Sequence, residues 1–182
     1  MSKLQQTEQS ALKDKAKKIR LLICDVDGVL TDGSLFFGDD GEEYKAFNSL
    51  DGHGIKMLQE SGVKVAIITG RTSNVVLHRM KNLSVTTIYQ GQSDKMVGYQ
   101  KLLEELNIQP EEIAYMGDDV VDLPVMIRVG LAVAVANAHE VVIQHADITT
   151  QHCGGQGAVR EFCDFLIKAQ GNYDKLMAKY LN

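Results

Sequence analysis

The sequence predicts an α/β protein: three Rossmann-like layers around one parallel sheet, with a small β-hairpin flap. Three observations carry this. Short apolar runs alternate with helix-length segments along almost the whole chain. Two of the runs, at 19–26 and 63–69, are apolar throughout their centres, as strands covered on both faces are. Most runs end in acidic, glycine or hydroxyl residues. Strands joined through helices require right-handed crossovers and a parallel sheet.

The elements follow in chain order. The first twenty residues are basic but contain Glu8 and Asp14 and lack an apolar core, so 1–18 is expected to be a short amphipathic leader helix rather than a targeting peptide. A strand at 19–26 comes next. Residues 34–37 and 43–47 flank the turn-like Gly38-Asp39-Asp40-Gly41 and form the hairpin flap, 34–47. A helix at 51–61 is closed by Gly62. A strand at 63–69 leads to a helix at 72–82, then a strand at 85–89 and a helix at 94–106. A strand at 113–116 ends in Gly117-Asp118-Asp119, followed by a helix from about 120 to 129. A strand at 131–136, a helix near 139–145, a strand at 147–149 and a helix at 158–169 complete the series. Beyond Gly171 a tail, 170–182, carries an apolar stripe of Tyr173, Leu176, Met177, Tyr180 and Leu181 that could dock on a partner.

Composition narrows the function. The chain has 182 residues, 45% hydrophobic and 24% charged. That suits a single domain spanning 1–182 with a core of its own. A net charge of −5 argues against a general nucleic-acid binder. The apolar runs fall far short of the ~20 residues of a membrane span, so no membrane partner is expected. Cys24, Cys153 and Cys163 show no paired spacing, which points to a reducing, cytoplasmic location.

In parallel sheets ligands bind beyond the carboxyl ends of the strands. There the sequence places Asp25-Val26-Asp27-Gly28, Thr69-Gly70-Arg71, Ser93-Asp94-Lys95 and Gly117-Asp118-Asp119 with Asp122. Asp25, Asp27, Asp118 and Asp122 on one sheet edge would repel one another, and a hard divalent cation relieves that; oxygen ligands favour Mg2+. Asp25 and Asp27 point to the same side of the chain. The Thr69 hydroxyl, the Gly70 backbone and the Lys95 ammonium would cradle a phosphate. The set specifies phosphoryl transfer.

These motifs resemble those of the haloacid dehalogenase (HAD) superfamily of phosphohydrolases: DVDGVLTD, IITGR, the lysine of QSDK, and GDDVVD. GEEYKAFNSLDGHGI and GGQGAVREF are more specific and resemble the 3-deoxy-D-manno-octulosonate (KDO) 8-phosphate phosphatases. The resemblance runs from about residue 19 to 169. It implies a cytoplasmic, Mg2+-dependent phosphoric monoester hydrolase of lipopolysaccharide sugar biosynthesis that acts through an aspartyl-phosphate, usually as a homotetramer. It implies Asp25 as nucleophile and Asp27 as general acid/base, sited beside another carboxylate in a closed site. Magnesium would be held by Asp25, the Asp27 carbonyl and Asp118, with Asp119 and Asp122 in the shell around it. Thr69 and Gly70 would hold the phosphoryl group and Lys95 would neutralise it. Arg71 and Arg79, eight apart on one expected helix face, would grip the sugar acid. Ser49-Leu50 and His53 match no motif.

A nine-carbon acidic sugar 9-phosphate is the alternative substrate. A signalling receiver domain would place its acidic pair and phosphorylated aspartate in the other order, and a non-catalytic module would not need Asp25, Asp27, Lys95 and Asp118 together. The spaces 32–51 and 69–95 hold no cap domain, so a neighbouring subunit is expected to roof the site through apolar Leu35, Phe36, Phe37 and Tyr44. The Gly154-Gly155-Gln156-Gly157 stretch is expected to be flexible and to approach the ligand.

Overall fold

The computed structural model describes residues 3–181, with side chains from Ser10 onward; Met1 and Ser2 of the expected leader and Asn182 of the tail lie outside the described residues. In chain order the strands are β1 (Leu21–Cys24), the hairpin pair β2 (Phe36–Phe37) and β3 (Glu43–Tyr44), β4 (Lys64–Ile68), β5 (Thr87–Tyr89), β6 (Ile113–Gly117), β7 (Leu131–Ala134) and β8 (Ile148–Thr149). Six of them form one parallel sheet in the order β5-β4-β1-β6-β7-β8. β1 lies inside it, with Leu21 opposite Lys64 on one side and Ile113 on the other. The chain leaves β1 toward β4 and later returns to β6 on the opposite side. The crevice of such a sheet opens at the carboxyl ends of these three strands.

Strand alternation splits the core into two. Leu22, Cys24, Val65, Ile67, Ala114, Met116, Leu131 and Val133 face one way, packed by Ile55 and Leu58 of α2 (Ser49–Glu60) and by Phe162 and Leu166 of α7 (Ala158–Ala169). Leu21, Ile23, Ala66, Ile68, Tyr115 and Ala132 face the other way. They meet Tyr99 and Leu102 of α4 (Lys95–Leu106), Met126 of α5 (Leu123–Met126) and Val142 of α6 (Glu140–His145). These are the expected three layers. Cys24 and Cys163 are free and buried, in keeping with small apolar packing.

Local chemistry sets the helix boundaries. Asn48 caps α2 by accepting from the Leu50 N–H at 2.8 Å, and Asp94 caps α4 by accepting from Met96 N–H at 2.9 Å. The leader is helical as α1 (Lys3–Lys18). Three expected helices differ. α2 begins at Ser49, two residues before the expected 51, where Asn48 caps it. The one expected from 72 begins at Asn74, as α3 (Asn74–Asn82), because Ser73 is extended and donates its N–H to the Gln90 side chain at 2.5 Å. The one expected over 120–129 is a 3-10 turn, Val120–Asp122, followed by α5. Pro124 starts a new helix there, and Asp119 and Asp122 close the turn with reciprocal caps.

The tail differs as well. Residues Tyr173–Leu181 form α8, and Tyr173, Leu176 and Met177 pack against this chain's own core rather than waiting for a partner. Tyr180 and Leu181 stay exposed. The stripe divides because one helix face meets the core where α7 and the start of α8 adjoin.

Candidate active site

β1 places Asp25 just past its last paired residue. Its N–H donates to the Met116 carbonyl at 3.0 Å, and the residue is buried. Thr69, buried, follows β4 and donates its N–H to the Tyr89 carbonyl at 2.9 Å. Lys95 opens α4; its ammonium lies 3.0 Å from Asp25 Oδ2 and 2.5 Å from Asp122 Oδ1. Asp118 and Asp119 follow β6. Asp25, Asp27, Thr69, Gly70, Arg71, Lys95, Asp118 and Asp119 all line one cleft of about 270 Å³. A larger hollow of about 560 Å³, lined by Lys17, Arg20 and Gly62 among others, gathers none of these groups.

Asp122 is fully buried and its carboxylate is fully engaged. Oδ1 accepts from Lys95 and, at 2.6 Å, from the Tyr115 hydroxyl; Oδ2 accepts from the Asp118 and Asp119 N–H groups at 3.1 and 3.2 Å. It therefore fixes the Asp118 loop and Lys95 rather than offering a free oxygen. Asp118 is the opposite case: its Oδ1 is buried with no hydrogen-bond partner. Gly28 makes room for it. At φ +93° a Cβ there would be strained and would run into the Asp118 carboxylate.

The charges are unbalanced. Oxygens of Asp25, Asp118 and Asp122 lie within 4.8 Å of one another, against the single ammonium of Lys95. Burial pushes the Asp25 carboxyl up to about 6; Lys95 opposes this and Asp122 adds to it. Burial, then Asp25 and Asp122, push Asp118 up to about 7. Burial alone would lower Lys95, but Asp25 and Asp122 outweigh it and hold it above its ordinary value. An orphaned buried oxygen and an excess of two negative charges fit a hard divalent cation with oxygen ligands.

Asp27 stands in a different setting. Lys45, from the hairpin, donates to Asp27 Oδ1, and Arg71 Nε lies 3.9 Å from Oδ2. The groups paired with it are thus cations, not the neighbouring carboxylate expected. Sequence reading missed Lys45 and Glu43. Their signal was the alternation on β3, which sends 43 and 45 to one side of the strand, but their target depends on how the hairpin folds back.

The two arginines separate. Arg71 precedes α3, lines the cleft and reaches Glu43 at 3.0 Å. Arg79, on α3, donates to the Asn48 carbonyl at 3.2 Å and stacks 5.8 Å from the Phe47 ring, outside the cleft lining. The shared face assumed a helix running from 72, which the extended Ser73 prevents.

The 154–157 stretch is not free to approach a ligand. Gly154 N–H donates to the Asn137 side chain and Gly155 N–H to the Val29 carbonyl, both at 2.9 Å. Asp51, buried on α2, accepts from Gly157 N–H at 3.3 Å and Arg160 N–H at 2.8 Å. The segment thus braces the loop after Asp25, and the Asp51 carboxylate caps α7. His53 faces outward and meets Tyr180 of α8, its Nε2 3.2 Å from the hydroxyl.

Known proteins resemble this chain in sequence and fold. The sequence profile of the haloacid dehalogenase-like hydrolase family matches residues 84–162. The 3-deoxy-D-manno-octulosonate 8-phosphate phosphatase KdsC of Escherichia coli K12 is 55% identical over 161 residues, 88% of this chain and 86% of the relative. A HAD superfamily (subfamily III A) hydrolase structure from Legionella pneumophila superposes with a TM-score of 0.95 at 47% identity, covering 99% of both chains. The Moraxella catarrhalis 3-deoxy-D-manno-octulosonate 8-phosphate phosphatase, solved with magnesium, phosphate and KDO, has a TM-score of 0.91 at 41% identity, covering 93% of this chain and 97% of its own. The eight-carbon acid, not the nine-carbon alternative, is what the Escherichia coli and Moraxella catarrhalis relatives' names carry. With identity this high over nearly nine-tenths of its length, and with the four motif loops meeting at one cleft, the chain belongs to the 3-deoxy-D-manno-octulosonate 8-phosphate phosphatases of the haloacid dehalogenase superfamily.

Proposed function

We propose that this protein hydrolyses 3-deoxy-D-manno-octulosonate 8-phosphate to KDO and phosphate, the activity in the Escherichia coli relative's name, with magnesium, the ion in the Moraxella catarrhalis structure, within a single HAD-like domain spanning 1–182. The observation that carries the reading is the meeting of Asp25, Lys95 and the partnerless Asp118 oxygen at one strand-end cleft.

Asp25 and Asp118 side chains and the Asp27 backbone carbonyl would hold the magnesium ion, with Asp119 and Asp122 around them. The ion supplies charge neutralisation for the phosphoryl oxygens and lets neighbouring carboxylates stay ionised. Asp25 Oδ attacks phosphorus in line, the bond to the sugar O8 breaks, and Asp27 delivers a proton to that oxygen. Asp27 then takes a proton from water as the water oxygen attacks the aspartyl-phosphate, which frees phosphate and restores Asp25. Thr69 and Gly70 hold the phosphoryl oxygens, and Lys95 balances their charge. Arg71, at the cleft mouth, meets the sugar carboxylate.

The exposed hairpin residues Leu35, Phe36, Phe37 and Tyr44 support assembly as a homotetramer in which a neighbour roofs each cleft. Free cysteines accord with work in the cytoplasm; among the described residues no helix is long and apolar enough to cross a membrane.

The test is phosphate release from KDO 8-phosphate, a nine-carbon acidic sugar 9-phosphate and a neutral hexose phosphate, with magnesium and with chelator. Preference for the first, lost with chelator, is expected. Equal or better turnover of either other sugar would overturn the substrate reading.

A further inference from the structure

Lys45 has no role in the four strand-end motifs, yet its side chain is only 1% exposed. A lysine so buried must be paired. It donates to Asp27 Oδ1 and lies 3.3 Å from Glu43 Oε1. Glu43 in turn accepts from Arg71 at 3.0 Å, and Arg71 Nε stands 3.9 Å from Asp27 Oδ2. Two carboxylates and two cations thus alternate around a closed ring. The ring joins the hairpin to the loops after β1 and β4.

Asp25 and Asp27 depend on this ring to different degrees. Asp25 is held from the sheet side, by its own backbone bond to β6 and by Lys95. The Asp27 carboxylate is partly exposed, and among the described residues its hydrogen bond comes from Lys45. We propose that Lys45 is a positioning residue that aims the Asp27 carboxylate, so that the hairpin as well as the sheet sets the geometry of proton transfer. This rests on the reading of Asp27 as the proton donor and acceptor. Without its anchor, a carboxylate on a loop samples other rotamers, and a misplacement of about 1 Å can cost ~10²-fold in rate.

The test is Lys45→Met in the full-length, magnesium-loaded enzyme, with rapid-quench trapping of the phosphoenzyme. Two substrates are compared: KDO 8-phosphate, whose alkoxide leaving group needs a proton, and 2,4-dinitrophenyl phosphate, whose leaving group does not. Phosphoenzyme formation from the sugar phosphate should fall ~10²-fold. Formation from the aryl phosphate should change little. Phosphoenzyme should then accumulate on the aryl substrate, because the second half-reaction still needs Asp27 to take a proton from water. Lys45→Arg, which keeps the cation, should restore much of the loss, and Lys45→Gln carries the same readout should the methionine variant fail to fold. Equal losses on both substrates without accumulation, or wild-type rates, would overturn the proposal. Asp27→Asn is run alongside: undiminished sugar-phosphate turnover there would sink the Asp27 reading itself, whereas an impaired Asp27→Asn beside a normal Lys45→Met would sink only the role of Lys45.

Discussion

At the strand ends, Asp25, Lys95 and Asp122 are almost wholly buried and joined through charge-assisted contacts of 2.5 and 3.0 Å. In the hairpin, Phe36 and Phe37 are 55% and 59% exposed, and the paired strands are two residues each. The first region is made by the sheet: strand pairing delivers each loop to the cleft, and backbone bonds hold it there. The second rests on the ion-pair ring around Asp27 and Lys45 and has too little pairing to be stable alone. Asp25, Thr69, Lys95 and Asp118 lie in the rigid region, Asp27 stands between the two, and the exposed apolar surface lies in the weakly supported one.

The largest expected effect falls on the strand ends. Asp25→Asn keeps the shape and removes the attacking charge. Turnover of KDO 8-phosphate should drop by at least ~10³, while the melting temperature of the metal-free protein at pH 7.5 stays at or above wild type, since a crowded charge is gone. Near-normal turnover would exclude Asp25 as nucleophile.

The two regions also differ in how far the sequence disclosed them. Asp25, Thr69, Lys95 and Asp118 could be placed together because parallel strands bring their carboxyl ends to one edge, a rule of topology. Nothing in the sequence signals that Asp122 takes four hydrogen bonds, because its partners Lys95 and Tyr115 come from other elements. Lys45 and Glu43 were invisible because their pairing spans 18 or more residues and depends on the angle of a short hairpin. Arg79 lies outside this chain's own cleft lining, and α3 begins two residues later than expected, so the two arginines do not share one helix face. The glycines at 154 and 155 looked flexible in isolation; the acceptors that hold them, Asn137 and Val29, come from distant segments.

Next in size is the contrast between the arginines. Arg71→Ala should raise KM for the sugar acid phosphate by about 10- to 100-fold, the worth of a charge-assisted hydrogen-bonded pair, with a much smaller change for p-nitrophenyl phosphate. Arg79→Ala should cost about 1 kcal/mol of stability through the lost bond to the Asn48 carbonyl and reduce both substrates alike. A selective KM effect in Arg79→Ala would return that residue to the substrate.

For the flap, Leu35→Ser with Phe36→Ser removes exposed apolar surface and leaves Lys45 in place. Sedimentation should show association weakened by at least ~10-fold. Turnover of a small aryl phosphate should persist, because the strand-end groups remain. An unchanged oligomer would place the subunit contact elsewhere.

The smallest effect is a pH dependence of stability set mainly at the strand ends. Asp25 and Asp118, raised to about 6 and about 7 mainly by burial, titrate near ~4 when unfolded. Between those values the folded protein binds more protons than the unfolded one. Stability of the metal-free protein should therefore fall as pH rises from about 4 to about 7 and level off above. Asp51, raised by burial, adds to the same slope. Glu43, Glu112 and Glu161 are lowered, and their opposite contribution is lost on acidification, below the range in question. A divalent cation favours the ionised carboxylates and so cancels the penalty. Thermal melts in chelator should give a lower midpoint at pH 7.5 than at pH 5.5, and magnesium should raise the midpoint more at pH 7.5. Asp118→Asn should flatten the chelator profile and lose most of the magnesium gain. A hairpin variant such as Leu35→Ser should leave both the slope and the gain unchanged, because the charges that produce them lie at the sheet edge and on α2, outside the hairpin. A metal-free midpoint that climbs between pH 5.5 and 7.5 would mean that the crowded carboxylates are relieved by something other than a bound cation.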